Sequence, residues 1–156
     1  YDEAIADINS ALKIQADDPR SFIERARVKT DMGNYNSAID DYLKALQIYP
    51  YNDKAYIEMA DVKTKLKYYD DAIKDHFKAV ELNYRNEGLS YYNIARNYAL
   101  LEDKDAMLFY LGKARKKKFF TRRDNFQHFM ANEDFKEYRA DDEFKKMVKK
   151  IRKSVK

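Results

Sequence analysis

Small and aromatic residues recur along this chain at a fixed spacing of 34, and that period constrains the fold more than any other feature of the sequence. Residues 19–52 contain Phe22, Ala26, Tyr35, Ala38, Tyr42, Ala45 and Pro50. One period on, Tyr56, Ala60, Tyr69, Ala72 and Ala79 stand where Phe22, Ala26, Tyr35, Ala38 and Ala45 stood. The same step backwards from Tyr35, Ala38 and Ala45 reaches Tyr1, Ala4 and Ala11. Beyond residue 87 the step lengthens to 35, so that Tyr91, Ala95 and Ala114 follow Tyr56, Ala60 and Ala79. One extra residue in the loop 83–88 accounts for the slip. A unit that recurs at this length is a single supersecondary element. It cannot bury its apolar face alone, so neighbouring copies must stack.

Within each period the apolar residues fall three and four apart, which is one face of an α-helix. Only 3 Gly and 2 Pro occur in 156 residues, too few turn formers for an all-β chain. Paired helices follow, predicted at 1–15, 20–32, 35–49, 53–66, 69–82, 89–101 and 104–116. Pro19 and Pro50 stop the helices before them, and Asp18 is placed to cap the next one. Gly33 supplies the left-handed residue that closes a helix; Lys67 replaces it one period later, without that freedom. After Phe119 the period is lost. Two short helices are predicted at 132–139 and 141–153, with Asp141 or Asp142 as N-cap of the second, closing the stack.

Cysteine is absent, which excludes a disulfide framework, a Cys-ligated zinc site and a thiol nucleophile. No apolar run reaches the length of a membrane span. The chain opens at Tyr1 in mid-repeat, so an upstream segment is expected. The compartment is left open, with the cytoplasm slightly favoured. The net charge of +4 conceals a division. Residues 113–156 carry sixteen Lys/Arg against seven Asp/Glu, while residues 1–112 carry fifteen against twenty. An acidic body with a basic tail is one signature of an anionic partner.

Taken together, Phe22, Ala26, Tyr35, Ala38, Tyr42, Ala45 and Pro50 resemble the tetratricopeptide repeat, and the next copy departs only at His76 and Tyr84. The resemblance covers residues 1 to about 121. It implies an all-α, right-handed superhelix of stacked helix-turn-helix repeats. The copies are a half repeat at 1–18, full repeats at 19–52, 53–86 and 88–121, and closing helices at 122–156. The tail from Glu133 to Phe144 resembles the helical closing segment that follows the last repeat in bacterial proteins of this kind. The resemblance further implies a concave groove lined by the first helix of each repeat.

The groove residues expected on that basis are Arg20, Ile23, Arg27 and Thr30, then Lys54, Ile57, Asp61 and Lys65, then Leu89, Tyr92, Asn93 and Arg96. This mixture suits an extended peptide, with Arg27, Lys54 and Arg96 for its carboxylates and Ile23, Ile57 and Tyr92 for an apolar side chain. Relatives that grip acidic chaperone tails need particular Lys, Asn and Arg side chains. The corresponding sites are Ile23, Arg27, Glu58, Leu89 and Asn93, and none fits, so a chaperone tail is not the expected partner. A protein or peptide is. Homodimerisation is the first alternative, because the stripe Ile5, Ile8 and Leu12 has no preceding helix to cover it.

The run from Lys113 to Arg123, with Arg115, Lys116, Lys117, Lys118, Arg122 and Arg123, is the second alternative. It could meet a nucleic acid or a membrane surface. The favoured reading is a solvated helix end with Phe119 and Phe120 packed beneath the closing helices. His76 and His128 lie far apart, and His76 occupies a packing position. The acid pairs Asp40/Asp41, Asp70/Asp71 and Asp141/Asp142 are adjacent, so the members of each pair do not face one another on a helix. No phosphate loop, nucleophile elbow or metal-spaced cluster is present. A binding scaffold without catalytic residues, metal or cofactor is the expected function.

Overall fold

The computed structural model describes residues 1–82 and 87–156, and every regular element among them is helical. The chain forms two compact units, Tyr1–Leu82 and Asn83–Lys156. The expected insertion at 83–88 and the Tyr84 substitution fall largely on residues outside that description.

The N-terminal unit contains α1 (Asp2–Ile14), α2 (Pro19–Asp31), α3 (Tyr35–Ile48), α4 (Asp53–Lys65) and α5 (Tyr69–Leu82). Helices α2 and α3 form one hairpin, α4 and α5 the next, and α3 packs on α4. The 34-spaced alanines explain how closely they approach. Ala26, Ala38, Ala45, Ala60, Ala72 and Ala79 are all buried, and side chains this small let helix axes come near. Ile23, Tyr42, Leu46, Met59 and Val62 fill the space between them. Helix starts follow local chemistry. The Asp18 carboxylate accepts from the Arg20 and Ser21 backbone N–H groups with Pro19 next in line, and Asn52 accepts from the N–H of Ala55.

The C-terminal unit contains one hairpin, α6 (Glu87–Leu100) and α7 (Lys104–Lys116), followed by a closing segment. That segment runs through a 3-10 turn at Phe119–Thr121, α8 (Arg123–Ala131), a 3-10 turn at Glu133–Tyr138 and α9 (Asp142–Arg152). Two details differ from expectation. The helix predicted at 132–139 is a 3-10 turn, in which the Asn132 side chain accepts from the N–H of Asp134. A further helix, α8, occupies a stretch between Phe119 and residue 132 for which no separate helix was predicted. The signal was there in Phe126, Phe129 and Met130 at three-and-four spacing.

Three hairpin turns repeat one geometry. Gly33, Lys67 and Glu102 have φ of +79°, +64° and +62°. In each, the next N–H closes back on a carbonyl five residues earlier: Asn34 on Lys29, Tyr68 on Lys63, Asp103 on Tyr98. Only Gly33 adopts this conformation without a Cβ penalty. Lys67→Gly and Glu102→Gly should therefore each stabilise the protein by about 0.5–1 kcal/mol, read as a higher urea midpoint. A lower midpoint for both variants would contradict that account.

A second recurring feature joins the two helices of each hairpin. In the first, Lys29 and Arg25 of α2 both bind Asp41 of α3. One period on, Lys63 binds Asp75 and Met59 replaces Arg25. In the third hairpin the corresponding residues are Tyr98 and Tyr110, whose rings stack 5.4 Å apart at an angle of 6°.

Candidate functional site

Helices α2, α3 and α4 enclose a recess of about 360 Å³ lined by Arg27, Thr30, Asp31, Tyr42, Glu58, Asp61, Val62 and Lys65. Its centre is a fork-to-fork ion pair. Arg27 Nε and Nη2 donate to the two carboxylate oxygens of Glu58, each at 2.8 Å. A further Arg27 nitrogen contacts Glu24. The Tyr42 hydroxyl donates to Glu58 from below at 3.3 Å. Burial, and then the Glu58 charge, push that phenol well above its ordinary range, so it stays a donor. Lys65 lies at the rim with its ammonium 5.4 Å from the centre of the Tyr35 ring.

Several expected groove residues meet at this face, in altered roles. Arg27 is engaged by two carboxylates of its own chain, so it is not poised for a ligand's carboxylate. Ile23 and Ile57 are 7% and 9% exposed and belong to the interior rather than to an open apolar patch. Lys54 is 71% exposed, with a loose 3.7 Å contact to Glu58. Arg20 is exposed, while Asp61 and Thr30 line the recess. Tyr42, Asp31 and Val62 were not expected here, and Glu58 was considered only as a position of the chaperone-tail pattern.

Tyr92, Asn93 and Arg96 are the α6 counterparts of Ile57, Glu58 and Asp61, and they do not border an open groove. The closing segment of the same unit lies on them. Tyr92 is 1% exposed, with Phe119 stacked on it at 4.8 Å and Phe120, Phe129 and Phe135 around it. Asn132 Nδ2 donates to its hydroxyl at 3.1 Å, and burial raises the phenol to about 12. Arg96 Nε donates to Asp134 at 2.7 Å, and Asn93 is buried. Tyr138 closes the contact by donating to the carbonyl of Ala99.

The basic run also divides. Phe119 and Phe120 pack inward, as the solvated-helix-end reading requires. Arg115 is half-buried, and Lys117 pairs with Glu87 at 2.6 Å. Lys116, Lys118, Arg122 and Arg123 are exposed. Of the two histidines, His76 is buried and His128 exposed. Helix α1 has no buried residue. Ile5, Ile8 and Leu12 are half-buried, and Ile14 is 90% exposed. Among the described residues no group of three or more potential metal ligands comes together, and no helix is long and apolar enough to cross a membrane.

These hairpins, with their inward small residues and recurrent turns, define an all-α protein of stacked helix-turn-helix repeats. Residues 19–52 match the tetratricopeptide repeat family. That stretch is the one the family model covers, and solved structures of tetratricopeptide-repeat proteins share the fold of the chain. A crystal structure of MamA protein superposes with a TM-score of 0.77 at 20% identity, over 98% of this chain and 81% of that one. YrrB, described as a TPR protein with an unusual peptide-binding site, gives 0.60 at 17% identity, over 94% and 91%. The N-terminal domain of stress-induced protein-1 from C. elegans gives 0.61 at 16%, over 86% and 94%. At these identities the likeness concerns the fold alone. A comparison with curated proteins finds no match.

Proposed function

We propose that this chain is a non-enzymatic scaffold that binds an extended peptide of a protein partner across the α2–α4 face of the N-terminal unit. The observation that carries this reading is the recess between these helices, with charges of both signs on its lining and Tyr42 and Val62 among its walls. Its volume suits one or two side chains of a longer segment. The equivalent face of α6 is taken by the chain's own closing segment. The resident ion pair sets the ligand chemistry. Because Arg27 and Glu58 already neutralise each other, a strongly acidic tail gains little. A segment that offers backbone groups and charges of both signs, for the exposed Lys54 and Lys65 and for Asp31, is the better fit. The shifted carboxylates Asp41 and Asp75 are held between helices, away from the recess lining, which supports binding over catalysis.

A photo-crosslinking residue placed at Thr30 or Lys65 should capture a partner that the same residue at Gln47, exposed on α3, does not. Lys54→Glu with Lys65→Glu should weaken the captured complex by about tenfold. Equal capture from Gln47 and from Thr30 would overturn the assignment of this face.

A further inference from the structure

The closing segment builds a cationic recess that the sequence presents as two separate stretches. The Lys156 backbone N–H donates to the carbonyl of Thr121 at 3.0 Å, which fastens the C-terminal end to the turn after α7. Ile151 is fully buried and anchors the end of α9. Between α8 and this end lies a recess of about 280 Å³ lined by Arg123, Phe126, Gln127, Arg152 and Val155. Two guanidinium groups thus share one concavity with an apolar wall. Arg122, Lys153 and Lys156 adjoin it in sequence or through the Thr121 bond.

The charges here are not balanced internally. Arg123, Arg152, Lys153 and Lys156 are exposed and make no ion pair among the described residues. The carboxylate beside them in sequence, Asp124, is 3.9 Å from Arg122 and highly exposed. In the N-terminal unit, by contrast, Arg25, Arg27, Lys29, Lys63, Lys74 and Lys78 each hold a carboxylate. Uncompensated cations around a concavity repel one another unless an anion is supplied.

We propose that this recess binds the phosphate backbone of a single-stranded nucleic acid, independently of the peptide face. A strand can enter a concavity, place a phosphate between Arg123 and Arg152, and lay its sugar or base against Phe126 and Val155. A flat bilayer reaches only the rim. Phe120, Phe129, Phe135, Phe144 and Ile151 of this segment are buried, and the exposed Met130 alone is a poor membrane anchor. Recognition is through the backbone, so it is insensitive to sequence.

The test is fluorescence anisotropy of the whole chain with a labelled mixed-sequence DNA oligonucleotide of about 12 nucleotides at about 50 mM salt. Binding at micromolar protein is expected, tighter for the single strand than for its duplex. The log–log salt slope should be about −3, the value for about four neutralised phosphates on a single strand. Arg123→Glu with Arg152→Glu should weaken binding at least about tenfold. The charge-matched pair Lys13→Glu with Lys67→Glu should change it less than about twofold. Circular dichroism of each variant confirms the fold. Absence of binding by the native chain, equal loss from both variant pairs, or retention by phosphatidylserine-containing vesicles without oligonucleotide binding would each overturn the proposal.

Discussion

Tyr92→Ala is expected to destabilise the C-terminal unit by about 3–5 kcal/mol, the usual cost of removing a fully buried aromatic side chain. The ring is the hub on which Phe119, Phe120, Phe129 and Phe135 converge, at centroid distances of 4.8, 5.9, 6.3 and 6.0 Å. Its loss opens a cavity between α6 and the closing segment. It also leaves the Asn132 amide without its acceptor. Tyr92→Phe keeps the ring and removes only that hydrogen bond, so a loss of about 0.5–1.5 kcal/mol is expected. Amide hydrogen exchange locates the effect: Tyr92→Ala should lower protection in α6, α8 and α9, and leave α2 and α3 unchanged. If instead stability is retained and partner capture is lost, Tyr92 belongs to a binding surface, and the packing described here is not its role.

This residue also shows where the sequence stops being informative about the site. Repeat arithmetic assigns Tyr92 to the groove because it treats every copy as having the same neighbours. Period and spacing record only what a repeat contributes. They do not record what lies on its face. The closing segment carries Phe119, Phe120, Phe129 and Phe135, and these need a surface to bury against. In this fold that surface is α6 and α7. A run of aromatics past the last repeat was therefore the available sign that the final face would be occupied. Arg27 teaches the same lesson on a smaller scale. It lines the recess between α2, α3 and α4, but its partner Glu58 comes from the adjacent repeat, 31 residues away, and a pairing between copies is invisible to a reading of one copy at a time.

The fold was more legible because its determinants are local or strictly periodic. The small residues Ala26, Ala38 and Ala45 and their counterparts are buried wherever two helices meet. Ala4 and Ala11 share the same register yet remain exposed on α1. Register alone does not bury a residue; a packed neighbour does. The caps at Asp18, Asn52 and Asp141 are set by side chains within three residues of the groups they satisfy. The 3-10 turn at Glu133–Tyr138 and helix α8 were misread because neither repeats and both are short.

Asp41 and Asp75 stand one period apart and should nonetheless respond very differently to neutralisation. Asp41 is 1% exposed and receives Arg25 Nη2 at 2.7 Å, Arg25 Nε at 2.8 Å and Lys29 Nζ at 2.7 Å. Arg25 also donates to Asn9, so a single carboxylate organises α1, α2 and α3. Burial opposes the charge on Asp41, yet the two cations outweigh it and hold its pKa below the ordinary carboxylate value. At Asp75 burial is again the largest influence, but Met59 has replaced the arginine. Lys63 alone does not offset it, and the pKa is raised. Asp41→Asn strands two half-buried cations and should cost about 2–4 kcal/mol at neutral pH. Asp75→Asn gives up one ion pair that its own desolvation outweighs, and should change stability by less than about 1 kcal/mol. The pH responses differ in sign. Asp41 contributes stability that is complete above its unfolded pKa of about 3.9 and fades as the pH falls through its lower folded value. Asp75 takes up its proton more readily in the folded state, so acidification through its raised folded pKa favours folding until the unfolded chain is protonated as well. Urea unfolding of both variants at neutral pH and at about pH 4 resolves the two. Equal losses at neutral pH would show that Arg25 adds nothing, and that the recurring Lys–Asp pair is energetically the same in both hairpins.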